Sequence, residues 1–95
     1  MKNIENLFNN IRYSQELFIE ELVKRIQPDT SNKVSVNDIC RVVGVNREEG
    51  SNALKALSIA EVIVSVGITC KHTEILIVDI DTFNKIRERV GSCNE

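Results

Sequence analysis

Two runs with helical periodicity, VNDICRVV and REEGSNALKAL, are separated by only Gly44, Val45 and Asn46. Three residues span at most about 10 Å, so two helices joined this way must cross in close contact. Each run carries its own boundary signals. Ser35 with Asp38 three residues later resembles a capping box, and Asn46 with Glu49 repeats the pattern. Gly44 ends the first run, because a left-handed residue after a helix costs glycine least. Val36, Ile39 and Val43 form one inward stripe, and Gly50, Ala53, Leu54 and Leu57 form the other. Small residues at Cys40, Gly50 and Ala53 let the helices approach. The spacing predicts a helix-turn-helix over residues 33–60.

The period then changes from helical to alternating. Val62, Val64, Val66 and Ile68 alternate with Ile63, Ser65, Gly67 and Thr69, as in a strand. TCKH makes a turn and TEILIVDI returns, rich in β-branched residues. A hairpin over 61–80 directly after a helix-turn-helix is a wing. KVSV supplies a minor strand beside it. Asp81 is expected to cap a last helix over 81–90, whose Phe83, Ile86 and Val90 face inward; Gly91 stops it and SCNE is left as a tail.

Upstream, Ile4, Leu7, Phe8 and Ile11 share one helical face within residues 1–12. Ser14 is positioned to cap a second helix with the stripe Leu17, Phe18, Leu22, Val23 and Ile26, which Pro28 closes. Glu20 with Lys24, and Glu21 with Arg25, are spaced four apart on its wet face. The two segments are either one bent helix or two. A helix as short as the first is marginal alone, so it docks on the core or forms a dimer contact. The fold class is mainly α with a small β-hairpin (α+β), a winged helix-turn-helix of order ααβααββα, in one domain over residues 1–95.

Composition narrows the function. Three cysteines without a CxxC pair argue against a disulfide framework and suit a reducing, cytoplasmic setting. Together with the lone His72 they match no structural zinc spacing, so no metal or other cofactor is expected. The longest nearly uncharged stretch, Val62 to Cys70, is nine residues, short of the roughly 20 that span a bilayer. No nucleophile spacing, phosphate loop or paired-acid motif is present, which argues against an enzyme and leaves no catalytic residues to name.

Binding of double-stranded DNA is the function that this scaffold suggests. The exposed face of the second helix carries Arg47, Glu48, Ser51, Asn52, Lys55 and Ser58. Arginine grips the two acceptors of guanine, asparagine pairs the edge of adenine, and a glutamate accepts from cytosine N4. Lys71 and His72 stand at the wing turn, and Ser35 joins these candidates from the start of the first helix. From Lys33 to His72 there are five positive and four negative side chains, a net of +1. That is a weak electrostatic footprint, so binding is expected to need a homodimer on two half-sites.

The stretch from Tyr13 to about Val90 resembles the C-terminal winged helix-turn-helix domain of the CodY family of transcription regulators from low-GC Gram-positive bacteria. The residues that carry the likeness are YSQELFIEEL, DICRVVGVNR, NALKAL, VIVS and the CKHT wing turn. The resemblance implies base reading by Arg47, a phosphate contact by Lys71, and Cys40 facing DNA from the first helix. Glu48 stands where that family has a small hydroxyl residue, and Thr69 and His72 replace its flanking wing glycines. The family's ligand-sensing domain is not matched. The alternative is a protein-interaction module whose Glu48 and Glu49 meet a basic partner.

Overall fold

The computed structural model describes residues 4–69 and 71–92; Cys70, Cys93 and the last two residues, on which the expectations for two thiols and the tail fall, lie outside them. Among the described residues five helices, α1 (Ile4–Asn9), α2 (Tyr13–Arg25), α3 (Val36–Val43), α4 (Arg47–Ile59) and α5 (Ile80–Ser92), accompany three strands, β1 (Asn32–Val34), β2 (Ile63–Ile68) and β3 (Thr73–Ile77). The order is ααβααββα, the expected winged helix-turn-helix. The strands form one antiparallel sheet in the order β1-β3-β2, so β1 pairs with the returning strand of the wing.

Phe18, Ile19 and Leu22 of α2, Ile39, Leu57, Ile75, Phe83 and Ile86 are nearly solvent-free and form the centre of one continuous core. The sequence stripe of α2 lacked Ile19, and its Leu17 is only half-buried. The N-terminal segment resolves into two helices. Phe8 alone of α1 is buried, with the guanidinium of Arg89 lying 4.4 Å from its ring centroid. Ile4, Leu7 and Ile11 are partly covered.

Local signals fix most helix ends. Asn46 Oδ1 accepts from Glu49 N at 2.9 Å and Ser35 Oγ accepts from Asp38 N at 3.1 Å. Gly44 has φ +76, and Val45 N donates to Cys40 O at 3.0 Å, a Schellman closure of α3. The capping acids, however, do not reach back to their caps. Asp38 is engaged by Arg25 at 2.7 Å and Arg41 at 3.3 Å, and Glu49 turns to α2. Arg25 also pairs with Glu21, at 3.0 Å.

Four expectations are corrected. Ser14 does not cap α2: Arg12 N donates to the Gln15 side chain at 3.1 Å, and Ser14 bonds elsewhere. Asp79, not Asp81, begins α5, its carboxylate accepting from Thr82 N and Thr82 Oγ1 at 3.1 and 2.8 Å. Asp81 lies in the first turn, where a carboxylate favours the positive helix end without capping it. Helix α5 also runs through Gly91 to Ser92. Finally, the alternation in β2 does not divide inside from outside. Pairing with β3 slips between Ser65 and Gly67, and Ser65 is exposed along with Val64, Val66 and Ile68, which leaves Ile63 as the buried residue of β2. A bulge adds a residue to one strand and cancels the two-residue period beyond it.

Candidate nucleic-acid interface

Helix α4 presents three distinct faces, set by its 3.6-residue turn. Ser51, Ser58 and Leu54 lie within about 40° of Arg47, Lys55 follows at about 80°, Glu48 at about 100° and Asn52 at about 140°. Gly50, Ala53, Leu54 and Leu57 pack inward and are buried. Glu49 lies about 200° from Arg47, on the flank that meets α2.

Opposite Arg47, Ser51, Lys55 and Ser58, the wing closes a cleft of about 260 Å³, with Ser65, Ile68, Thr69, Lys71, His72 and Thr73 along its far wall. Val36, Asn37 and Leu54 complete the lining. The wing turn is held shut by its own bonds. Thr69 N donates to His72 O at 2.8 Å, and Thr69 Oγ1 accepts from His72 N at 3.0 Å. Lys71 and His72 are thereby displayed at an exposed tip.

The cleft is lined by three cationic side chains, Arg47, Lys55 and Lys71, and by no carboxylate among the described residues. This local charge of +3 contrasts with −2 for the whole chain and +1 for the segment from Lys33 to His72. Folding accounts for the difference. Asp38 turns to Arg25 and Arg41, Glu49 turns to α2, and Glu48 and Glu61 are absent from the lining. A groove with one sign of charge concentrates polyanions, and its hydroxyl and amide groups supply donors suited to phosphate and base edges.

Of the nine expected site residues, Arg47, Ser51, Lys55, Lys71 and His72 line this cleft together. Glu48 and Asn52 are exposed on the outer face of α4, outside it. Glu48 has no hydrogen bond or ion pair among the described residues. Ser35 is half-buried and its oxygen serves as the α3 cap. Cys40 departs most from expectation. It is only 4% exposed, and its thiol donates to Asn46 O at 3.5 Å beneath the turn. The reason is spacing: Cys40 follows Val36 by four residues and sits on the inward stripe. Burial pushes its thiol pKa up, the reverse of an activated cysteine.

Sequence reasoning missed Asn37, Ser65, Thr69 and Thr73 as lining residues. Asn37 was within reach, since the residue two after a helix cap stands at the open end of its helix. The hydroxyl residues of the strands depend on the shifted register of β2 and carried no local signal.

No protein-family model and no curated protein matches the chain. Solved structures do. One is the homodimeric winged helix-turn-helix DNA-binding domain (residues 1–100) of a possible ArsR-family transcriptional regulator from Mycobacterium bovis. It superposes with a TM-score of 0.58 at 15% identity, over 96% of this chain and 74% of that one. Another is the adhesin competence repressor AdcR of Streptococcus pyogenes, with a TM-score of 0.60 at 13% identity, over 96% and 69%. At such identities the likeness establishes the winged helix-turn-helix fold found in transcription regulators. No helix among the described residues is long and apolar enough to cross a membrane.

Proposed function

We propose that this chain is a sequence-specific DNA-binding transcription regulator that places α4 in the major groove and its wing on the backbone. The observation that carries this reading is the cleft of Arg47, Lys55 and Lys71 between α4 and the wing, which has no carboxylate among its described lining residues. In this reading Arg47 and Ser51 meet base edges, and Lys55, Lys71 and His72 approach phosphates. The likeness of Tyr13 to Val90 to the CodY DNA-binding domain supports the same assignment and a bacterial, cytoplasmic setting. Cys40 has no part in it, because its thiol is enclosed. The protein-interaction alternative loses one of its two residues, since both oxygens of Glu49 are already hydrogen-bonded within the chain.

The protein acts as a homodimer. Leu7 of α1 and Ile11 just after it open with Ala56 and the 80%-exposed Ile59 onto a shallow apolar depression that a second copy would cover. Its M. bovis structural counterpart is homodimeric. Light scattering that finds only monomer at high micromolar concentration would remove this part of the proposal.

Gel retardation with fragments of the host genome, at low and moderate salt, tests the DNA reading. The wild-type protein is expected to retard fragments, and Arg47→Ala with Lys71→Ala to abolish the shift. Absence of retardation at low salt by a demonstrated dimer would overturn it.

A further inference from the structure

We propose that Arg12 and Tyr13 make a second contact to the DNA backbone, on the side of α4 opposite the wing. This rests on the DNA-binding reading above and adds residues to it. A B-DNA major groove is about 12 Å wide, and an α-helix with its side chains is about 10–12 Å across. A helix lying in the groove therefore has a phosphate strand on each flank. The wing, with Lys71, serves one flank.

The other flank is where Glu49 leaves α4, about 200° around from Arg47. There the carboxylate of Glu49 fastens the first turn of α2 to the first turn of α4. It accepts from Ser14 Oγ at 2.6 Å and from Gln15 Nε2 at 3.1 Å. This tie holds Arg12 and Tyr13, the residues just before Ser14, beside the entrance of the reading helix.

Both side chains are available there. The Arg12 side chain is 79% exposed, and among the described residues its one ion pair is with Glu49 at 3.7 Å, a loose pair for an already satisfied carboxylate. Exposed pairs of that kind hold a guanidinium weakly, so the fork is free to turn outward to a phosphodiester, which it fits in a bidentate way. Tyr13 is 74% exposed. Its hydroxyl adds a neutral donor of the kind that positions proteins on phosphates. The partner is the sugar-phosphate backbone of duplex DNA, and the contact orients α4 without reading sequence.

The test is fluorescence anisotropy with a labelled mixed-sequence duplex, across salt, for wild type, Arg12→Ala, Arg12→Lys, Tyr13→Phe and the double variant Arg47→Ala/Lys71→Ala. Removing one phosphate contact lowers the salt slope by about 0.9. The defect of Arg12→Ala is therefore expected to be about 3.5-fold larger at ~50 mM than at ~200 mM salt, and alike for every sequence tried. Arg12→Lys should recover most of the binding, and Tyr13→Phe should weaken it at all salts alike. If the double variant fails while Arg12→Ala keeps wild-type affinity and slope, this proposal is wrong and its parent stands. A lowered thermal midpoint in Arg12→Ala with unchanged affinity per folded molecule means that Arg12 only braces Glu49, which also overturns it. If wild type does not bind the duplex at low salt, both readings fall.

Discussion

Ser14 Oγ donates a 2.6 Å hydrogen bond to Glu49 Oε2, joining the first turns of two helices across thirty-five residues of sequence. Gln15 holds the other carboxylate oxygen, and the guanidinium of Arg12 stands 3.7 Å away. Glu49 is thus an acid at the start of the proposed reading helix that faces α2 instead of the cleft. Its charge is turned to positioning α4 against α2.

The Ser14 hydroxyl, then Gln15, and beyond them the charge of Arg12, lower the pKa of Glu49 below the usual carboxylate range. A carboxyl with a lower pKa folded than unfolded stabilises the fold at pH above its unfolded value. That contribution is lost as pH falls from there through the folded value. Ser14→Ala is expected to lower the thermal midpoint at pH 7. The gap between variant and wild type should close as Glu49 protonates in acid. A gap that is unchanged on going to acid would remove the charged carboxylate as its cause.

Gly50 stands where α4 crosses α3 and α2. A Cβ built there would lie 2.5 Å from Cys40 Sγ and 2.9 Å from the ring of Phe18. Gly50→Ala gains helix propensity but overpacks the crossing, with an expected net loss of about 1–3 kcal/mol in urea unfolding. Cys40→Ala combined with it relieves the nearer clash and should recover part of the loss; Phe18 retains the rest.

Two helices end in the same motif with different residues. Gly44 closes α3 with φ +76, and Glu61 closes α4 with φ +61, Val62 N donating to Leu57 O at 3.0 Å. A left-handed conformation costs an L-residue about 1–2 kcal/mol, against about 0.5–1 kcal/mol for the extra freedom of an unfolded glycine. Glu61→Gly is therefore expected to stabilise by about 0.5–1 kcal/mol, and Gly44→Ala to destabilise by a similar amount. Urea midpoints at unchanged m-value would read both.

The parts of this fold that could be read from sequence are those fixed within one helical turn. Asn46, Ser35 and Gly44 act on backbone groups three to five residues away, so the helix-turn-helix was visible in one short segment. Asp79 and Asp81 are the same residue type two positions apart, and only the direction of the chain leaving β3 decides which of them caps α5. The bulge in β2 is a property of its pairing with β3, and no period within β2 announces it. The charge of the cleft was hidden for the same reason. Where Asp38 and Glu49 turn depends on Arg25 and Ser14, which are close in space and remote in sequence.

Glu48 remains as the acid that bears on the proposed DNA contact. It is exposed and has no partner among the described residues, about 100° from Arg47 on the face between the cleft and the α2 flank. A helix seated in the groove brings that face toward base edges, with phosphates on either side. Were Glu48 only a repulsive charge, Glu48→Gln would tighten binding to every duplex. Were it a reader, accepting from cytosine N4, the same change would relax selectivity at one base pair, by about 1–3 kcal/mol of discrimination. In the proposed complex the cleft cations supply attraction that is blind to sequence, and a carboxylate beside the cleft penalises every site that does not offer it a donor. Glu48→Gln is accordingly expected to raise affinity for mixed-sequence duplex and to lower the ratio of best to average site. Site selection from a random pool by wild type and variant, followed by anisotropy on the selected duplexes, measures both quantities. An unchanged ratio would mean that Glu48 does not read sequence.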